Sequence, residues 1–299
     1  MTVLDLRVAT LNVAGGEKTF EQVSNDSKQS RLEALERLIR HLNADLLCLQ
    51  EVSQYVDAQG VMHCLRDKIN QDCDFRSCYY GKTLTMKMHQ QVKNPAMDDG
   101  VFKDWLDWSK GNAVHSRYAF SSLDDPKVAG EPQNIPLYQP VTYEGNRDTE
   151  SRFAILSRLN VAPFPFSATL HLTTLVGERQ PEAPQSRVKQ AQRLRAQQIG
   201  KFLELVRKPV LEEKQPMILA GDFNAEKHED CIQQLLEAGF IRLKPKNTGP
   251  SHGGSGRMID HILFFPREGL VDYECYIEDS DLSKRASDHL AVVADLRIK

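Results

Sequence analysis

Nine polar residues in this 299-residue chain share one property: each sits in, or at the end of, an apolar run. Asn12 closes the run Arg7 to Val13. Gln50 and Glu51 follow Leu46 to Leu49, and His171 lies inside Thr169 to Leu175. Asp222 and Asn224 follow Met217 to Ala220. Asp260 interrupts Met258 to Phe265, and Asp288 and His289 open the run to Ile298. Strand ends are where side chains leave a core and meet the loops that carry function. One carboxylate there is commonplace. Four of them (Glu51, Asp222, Asp260, Asp288) with amides and histidines have the chemistry of a hard-cation site, because magnesium prefers carboxylate and amide oxygen and keeps several waters.

The elements that must position these residues follow from periodicity. Arg7 to Val13 alternates as a strand does, and Ser30 to Asn43 places Leu32, Leu35, Leu38, Ile39 and Leu42 on one helical face. Leu46 to Leu49 and Met217 to Ala220 are wholly apolar, as expected of strands buried on both sides. Phe153 to Leu159 and Thr169 to Leu175 read as strands, and Gln185 to Val206 as a long helix stopped by Pro209. A short helix around Cys231 and Leu235 ends at Gly239. Met258 to Phe265 and His289 to Ile298 complete the strands. Thr83 to Lys110 is polar and irregular, with a small amphipathic piece at Phe102, Trp105 and Leu106. The prolines 126, 132, 136 and 140 argue against regular structure over Ser121 to Asn146. Strands and helices alternate without a linker or repeat, so one mixed domain over 1–299 is expected, with a variable insertion at about 81–150.

Composition narrows the function. Lys and Arg total 38 against 41 Asp and Glu, a net charge of -3, so any polyanion must be met locally and not by a global cationic field. No apolar run approaches a membrane span, and Met1 to Arg7 puts charge where a signal peptide keeps its apolar region. Six scattered cysteines with no C-x-x-C pair read as reduced thiols. A cytoplasmic, monomeric protein is the expectation.

Seven blocks carry a resemblance. They are Thr10-Leu11-Asn12-Val13, Leu49-Gln50-Glu51-Val52, Gly111-Asn112-Ala113-Val114-His115-Ser116-Arg117, Leu170-His171-Leu172-Thr173, Gly221-Asp222-Phe223-Asn224-Ala225, Ile259-Asp260-His261-Ile262 and Ser287-Asp288-His289. In this order they resemble the signatures of the endonuclease/exonuclease/phosphatase superfamily, which includes deoxyribonuclease I, exonuclease III-type apurinic endonucleases, inositol polyphosphate 5-phosphatases and neutral sphingomyelinases. Leu170 stands where that family usually has threonine. The resemblance implies an α+β fold, a four-layer α/β/β/α sandwich of two mixed sheets flanked by helices. Pattern alone does not separate that from a doubly wound parallel sheet.

The resemblance also implies roles. Glu51 is the main metal ligand, helped by Asn12 and Asp288, for Mg2+ with Mn2+ as a substitute. Asp222 orients or deprotonates the attacking water, and Asn224 holds the scissile phosphate. Asp260 fixes the His289 imidazole, while His289 and His171 donate to phosphate oxygens. Asn112 and Arg152 are substrate-binding candidates, with Arg147 the alternative arginine. His261 reads as structural, and His115 as a packing or surface residue. His252, in a glycine-rich loop, is read as an ordinary loop residue in preference to part of a phosphate nest. Residues 179–214 hold an excess of five cations, including Arg179, read first as a solvated helix face. Trp105 and Trp108 either stack on a base or pack the segment against the body.

The leading expectation is a magnesium-dependent phosphodiesterase, a nuclease whose partner is nucleic acid. The opening block lacks the tryptophan and second asparagine of the apurinic endonucleases, which argues against abasic-site repair. The runner-up is a hydrolase of a small or lipid phosphoester, such as a phosphoinositide or sphingomyelin. A silent binding module is the alternative outside enzymology, and it would be expected to have lost ligands that are all present here.

Overall fold

The computed structural model describes residues 3–15, 25–57, 59–92 and 105–299. Two mixed sheets form its centre. The first is ordered β12-β13-β1-β2-β5-β4, where β1 is Leu4–Asn12, β2 Leu46–Asp57, β4 Ser77–Thr85, β5 Trp105–Ser116, β12 Leu270–Ile277 and β13 Val292–Ile298; β3 (Met62–Cys64) pairs with the far end of β2. The second is ordered β10-β11-β9-β8-β7-β6, where β6 is Gln133–Tyr138, β7 Arg152–Arg158, β8 Phe166–His171, β9 Met217–Asp222, β10 Ile241–Arg242 and β11 Asp260–Phe265. β1 and β2 run parallel, as do β8 and β9; their other pairings within the sheets are antiparallel.

The sheets pack face to face because their inward residues are apolar on both sides. Leu6, Val8, Cys48 and Val114 of the first meet Ile155, Ile218, Ala220, Ile262 and Phe264 of the second. Helix α1 (Asn25–Leu42) lays Leu35, Leu38, Ile39 and Leu42 on the outer face of the first sheet, beside Leu65 and Ile69 of α2 (Leu65–Asp72). The short helix Met86–Gln90 is α3. Across the molecule, α4 (Gln185–Val206) and α5 (Asp230–Glu237) cover the second sheet through Ile199, Phe202, Val206, Ile232 and Leu235. These are the four layers of a deoxyribonuclease I-like α+β sandwich. A final helix, α6 (Asp281–Ala286), precedes the Asp288-His289 block.

Several sequence expectations are corrected. In the stretch read as irregular, Lys110 lies in β5, which pairs with both β2 and β4. Residues 81–150 therefore build both sheets and do not stand apart from them; Phe102 and residues 93–104 lie outside the described residues. β6 forms despite Pro136 because it is an edge strand, where a missing N–H costs little. β12 escaped periodicity for the same reason: Asp272 and Glu274 charge its exposed side, as edge strands often do. Trp108 packs among Leu84, Met86, Tyr55 and Tyr143 and is buried. Chain continues past α4 through a wide turn over Arg207–Glu212, so Pro209 does not stop it outright. No helix among the described residues is long and apolar enough to cross a membrane.

Candidate active site

The carboxyl ends of the two parallel strand pairs open onto one cleft of about 450 Å³. Asn12 ends β1, Glu51 lies on β2, His171 ends β8 and Asp222 ends β9. Asp260, at the start of β11, is in register with Asp222, which is itself in register with His171. His289 and Asp288 arrive just before β13. Crevices outside the carboxyl ends of strands are where open α/β sheets place ligands, and the same geometry operates here.

Local backbone explains why these side chains face the cleft. At Glu51 the β2–β5 register slips between Leu49 and Val52, and Glu51 itself has φ 56°. A bulge of this kind re-aims a side chain that a regular strand would bury. The glycine of Gly221-Asp222-Phe223-Asn224 is a steric requirement. A Cβ on Gly221 would lie 2.1 Å from the Leu170 carbonyl oxygen of the adjacent strand. Asn224 adopts φ 51°, and its backbone N–H donates to Asp222 Oδ1 at 2.8 Å, closing the turn that ends β9. Behind the cleft, Gln50 Nε2 donates to Thr169 Oγ1 at 3.0 Å, stitching the two sheets together.

Hydrogen bonds tie the constellation into one unit. Asn12 Nδ2 donates to Glu51 Oε1 at 3.2 Å and to Asp222 Oδ2 at 3.1 Å. His171 Nε2 lies 3.5 Å from Asp222 Oδ2 and 3.9 Å from Glu51 Oε1. Asp260 Oδ2 contacts His289 Nδ1 at 2.9 Å and accepts from Ser251 Oγ at 2.7 Å, while His289 Nε2 sits 3.8 Å from Asp222 Oδ2. His289 thus stands between two carboxylates, its orientation fixed by the hydrogen-bonded Asp260.

The two site histidines differ in charge. Burial alone would depress His289, but the Asp260 and Asp222 carboxylates outweigh it and raise its pKa to about 10. Burial, reinforced by the Arg152 charge, drives His171 down to about 4 despite the pull of Asp222 and Glu51. At neutral pH His289 is an imidazolium and His171 a neutral imidazole. Burial opposes ionisation of Glu51, yet Lys110, His171 and the Asn12 hydrogen bond hold it well below the usual carboxylate range. Asp222 is likewise lowered against its burial, by His289, His171 and Arg179.

The donors fit a hard cation. Glu51 is an ionised oxygen ligand facing the cleft, and Asp288 is a second, more exposed carboxylate at its edge. Two compact groups of metal-capable atoms occur among the described residues, Asp222 with Asp260 and His289, and His252 with Asp288 and His289. Asn12 is arranged differently from the expectation. Its Oδ1 accepts from the Ala14 N–H at 2.9 Å and its Nδ2 faces the two carboxylates, so in this arrangement it restrains them.

Arg152 lines the cleft, buried, with Nη2 3.3 Å from Glu150 Oε2 and Nε free of any protein partner among the described residues. Asn224 lines it too, with Nδ2 donating to the Leu172 carbonyl at 2.8 Å. Asn112 does not. It is buried between the sheets, donating Nδ2 to the Phe153 carbonyl at 3.2 Å, and so ties β5 to β7. His261 is buried against the Ala225 carbonyl at 2.9 Å, and His115 is fully buried beside Phe75.

Sequence reasoning missed Lys110, Glu150 and Arg179, and undervalued His252. Lys110 Nζ lies 3.1 Å from Glu150 Oε1 and 3.9 Å from Glu51 Oε2, a half-buried cation between two acids. It directly precedes the Gly111-Asn112-Ala113 block, the one signal that pointed there. His252 is a wall of the cleft, its ring edge-on to His289 at 4.5 Å. Arg179, at the start of the basic stretch expected to be a solvated helix face, lies in the loop before α4, on the cleft.

Residues 9–289 match the Endonuclease/Exonuclease/phosphatase family. Among solved structures, an endonuclease/exonuclease/phosphatase from Beutenbergia cavernae superposes with TM-score 0.65 at 20% identity, covering 98% of this chain and 72% of that one. The human Nocturnin catalytic domain with bound sulfate gives TM-score 0.64 at 18% identity, covering 100% and 97%. TDP2 from Caenorhabditis elegans gives 0.57 at 14%, covering 98% and 74%. No curated protein matches the chain.

Proposed function

Since the chain belongs to the Endonuclease/Exonuclease/phosphatase family, we propose that it is a magnesium-dependent phosphodiesterase acting on nucleic acid, by attack of water on phosphorus without a covalent intermediate. The observation that carries this reading is the Asp260–His289–Asp222 chain opening beside Glu51. It puts a fixed cation and a fixed carboxylate around one point in a cleft.

A bound Mg2+, held by Glu51 with Asp288, would neutralise phosphate charge as it develops in the transition state. The protein supplies the rest. Asp222, ionised and restrained by Asn12 at 3.1 Å, accepts a hydrogen bond from the attacking water and takes its proton. His289 presents Nε2–H to a non-bridging oxygen, and the Asp260 contact at its other nitrogen prevents rotation and maintains the positive charge. His171 donates as a neutral group, and Arg152, lining the cleft, adds positive charge toward the phosphate. Donors already in place need no reorganisation during the reaction, which is why such sites accelerate phosphoester hydrolysis.

Purified protein with Mg2+ or Mn2+ is expected to cleave bis-p-nitrophenyl phosphate and an oligonucleotide. EDTA and His289→Ala each abolish the activity; hydrolysis that survives both refutes the assignment. Release of inorganic phosphate from inositol phosphates, with oligonucleotides untouched, would replace the nucleic-acid substrate with a small phosphomonoester.

A further inference from the structure

The charges lining the cleft are unequally matched. Lys110 and Arg152 both face acids, Glu150 at 3.1 and 3.3 Å, and Lys110 also reaches Glu51. Arg179 has no ion pair or hydrogen bond to protein among the described residues, and its Nε and Nη2 are buried from solvent without an acceptor. A desolvated guanidinium N–H with nothing to donate to is costly, and more so than for a neutral group. Its charge bears on Asp222 and His252, whereas that of Arg152 bears on His171 and Glu150.

The loop that presents Arg179 is built to be rigid. Glu178, its neighbour, accepts from Arg195 Nη1 at 2.8 Å and from the Leu175 N–H at 2.9 Å, and Gln198 Oε1 accepts from the Thr173 N–H at 3.0 Å. Asp148 clasps this loop to the one carrying Arg147: its Oδ1 accepts from the Val176 N–H at 2.7 Å and its Oδ2 is paired with Arg187. Arg147, exposed at the rim, thereby stays on the same wall as Arg179. His252 Nδ1 accepts from the Ser255 N–H at 2.8 Å, which leaves Nε2 as its donor, 3.8 Å from Asp288 Oδ2.

We propose that Arg179, with Arg147 at the rim, forms a second anion subsite, so that the preferred substrate carries another phosphate beside the one hydrolysed. This rests on the phosphodiesterase reading only for the identity of the first phosphate. The shared chemistry is a second phosphate on the nucleoside, supplied either by the next linkage of a strand or by a nucleoside bisphosphate.

Two measurements test it. In EDTA, adenosine 3′,5′-bisphosphate is expected to bind about tenfold more tightly than adenosine 5′-monophosphate, the value of one good charge-assisted contact. Arg179→Ala reduces that ratio to near one, and Arg179→Lys retains part of it. With Mg2+, a 5′-phosphorylated thymidine dinucleotide is expected to show a lower KM than its 5′-hydroxyl counterpart, and Arg179→Ala erases the difference. A benefit in the dinucleotide alone assigns the strand as source, and one in the bisphosphate alone assigns the nucleotide. Because Arg179 bonds to no protein group among the described residues, the variant is expected not to lower Tm. An undiminished ratio in Arg179→Ala, or no preference for the second phosphate in the wild type, overturns the proposal. Metal-free binding preference without any diester hydrolysis would instead sink the phosphodiesterase reading and leave the subsite standing.

Discussion

Replacing Arg195 by Met tests whether the cleft wall is held by a buried ionic network. Arg195 is almost fully buried and pairs with two carboxylates as buried as itself, Glu178 at 2.8 Å and Glu229 at 2.7 Å. It also donates to the Thr173 carbonyl at 3.2 Å. Met preserves volume, so the substitution removes charge without opening a large cavity. Breaking a buried pair from one side costs about 3–5 kcal/mol, because the remaining charge is left uncompensated. In a domain of this size that lowers Tm by on the order of 10 °C.

The two acids should suffer unequally. Glu229 keeps Arg257 at 3.0 Å and the Glu226 N–H at 3.1 Å. Glu178 keeps only the Leu175 N–H among its described partners. Adding Glu178→Gln to Arg195→Met should therefore recover more stability than adding Glu229→Gln. Calorimetric Tm values for the single and double variants decide the matter. A shift under about 2 °C for Arg195→Met, or equal rescue by both glutamines, refutes the reasoning.

Asp260→Asn keeps the shape beside His289 but removes the charge, so kcat should fall about 10²–10³-fold while the fold persists, as read by diester hydrolysis and circular dichroism. Glu51→Gln should abolish calorimetric Mg2+ binding, since it deletes the ionised oxygen ligand nearest the centre. His115 is buried with no hydrogen-bond partner at either nitrogen among the described residues, and burial, with the Arg66 charge, pushes its pKa down to about 3. The unfolded chain takes up a proton near the ordinary histidine value while the folded chain does not. The stability due to neutral His115 is therefore complete above about pH 6.5 and is lost at roughly 1.4 kcal/mol per unit as pH falls below it. His115→Phe should flatten that slope in urea denaturation between about pH 7 and about pH 5; an unchanged difference between the two proteins over that range contradicts it.

What was legible in the sequence follows from where the chain is apolar. Strands buried on both faces, such as Met217–Asp222, announce themselves as unbroken apolar runs, and α4 shows a full helical period. The polar residues that terminate those runs were legible for the same reason, since a charge at the end of a buried strand has few other places to go. Strands with one wet face were not. β4 sets half-buried Cys78, Tyr79 and Tyr80 beside exposed Lys82, and β12 mixes exposed Asp272 and Glu274 with buried Leu270, Cys275 and Ile277, patterns that a short window cannot tell from loop.

The site residues that stayed hidden are those positioned by pairing across the fold. Arg179 and Arg195 fall within one basic stretch of sequence, and charge counting treats them alike. In the structure one neutralises two buried acids, and the other makes no ion pair among the described residues. The same holds for the histidines. His171 and His289 each follow or open a strand and each faces Asp222, yet one is neutral and the other cationic. The difference is Asp260, fully buried, 29 residues before His289 in the chain and 2.9 Å from its Nδ1. Asp260 itself does not line the cleft. A carboxylate with no access to substrate thereby decides which of two imidazoles can stabilise negative charge at neutral pH.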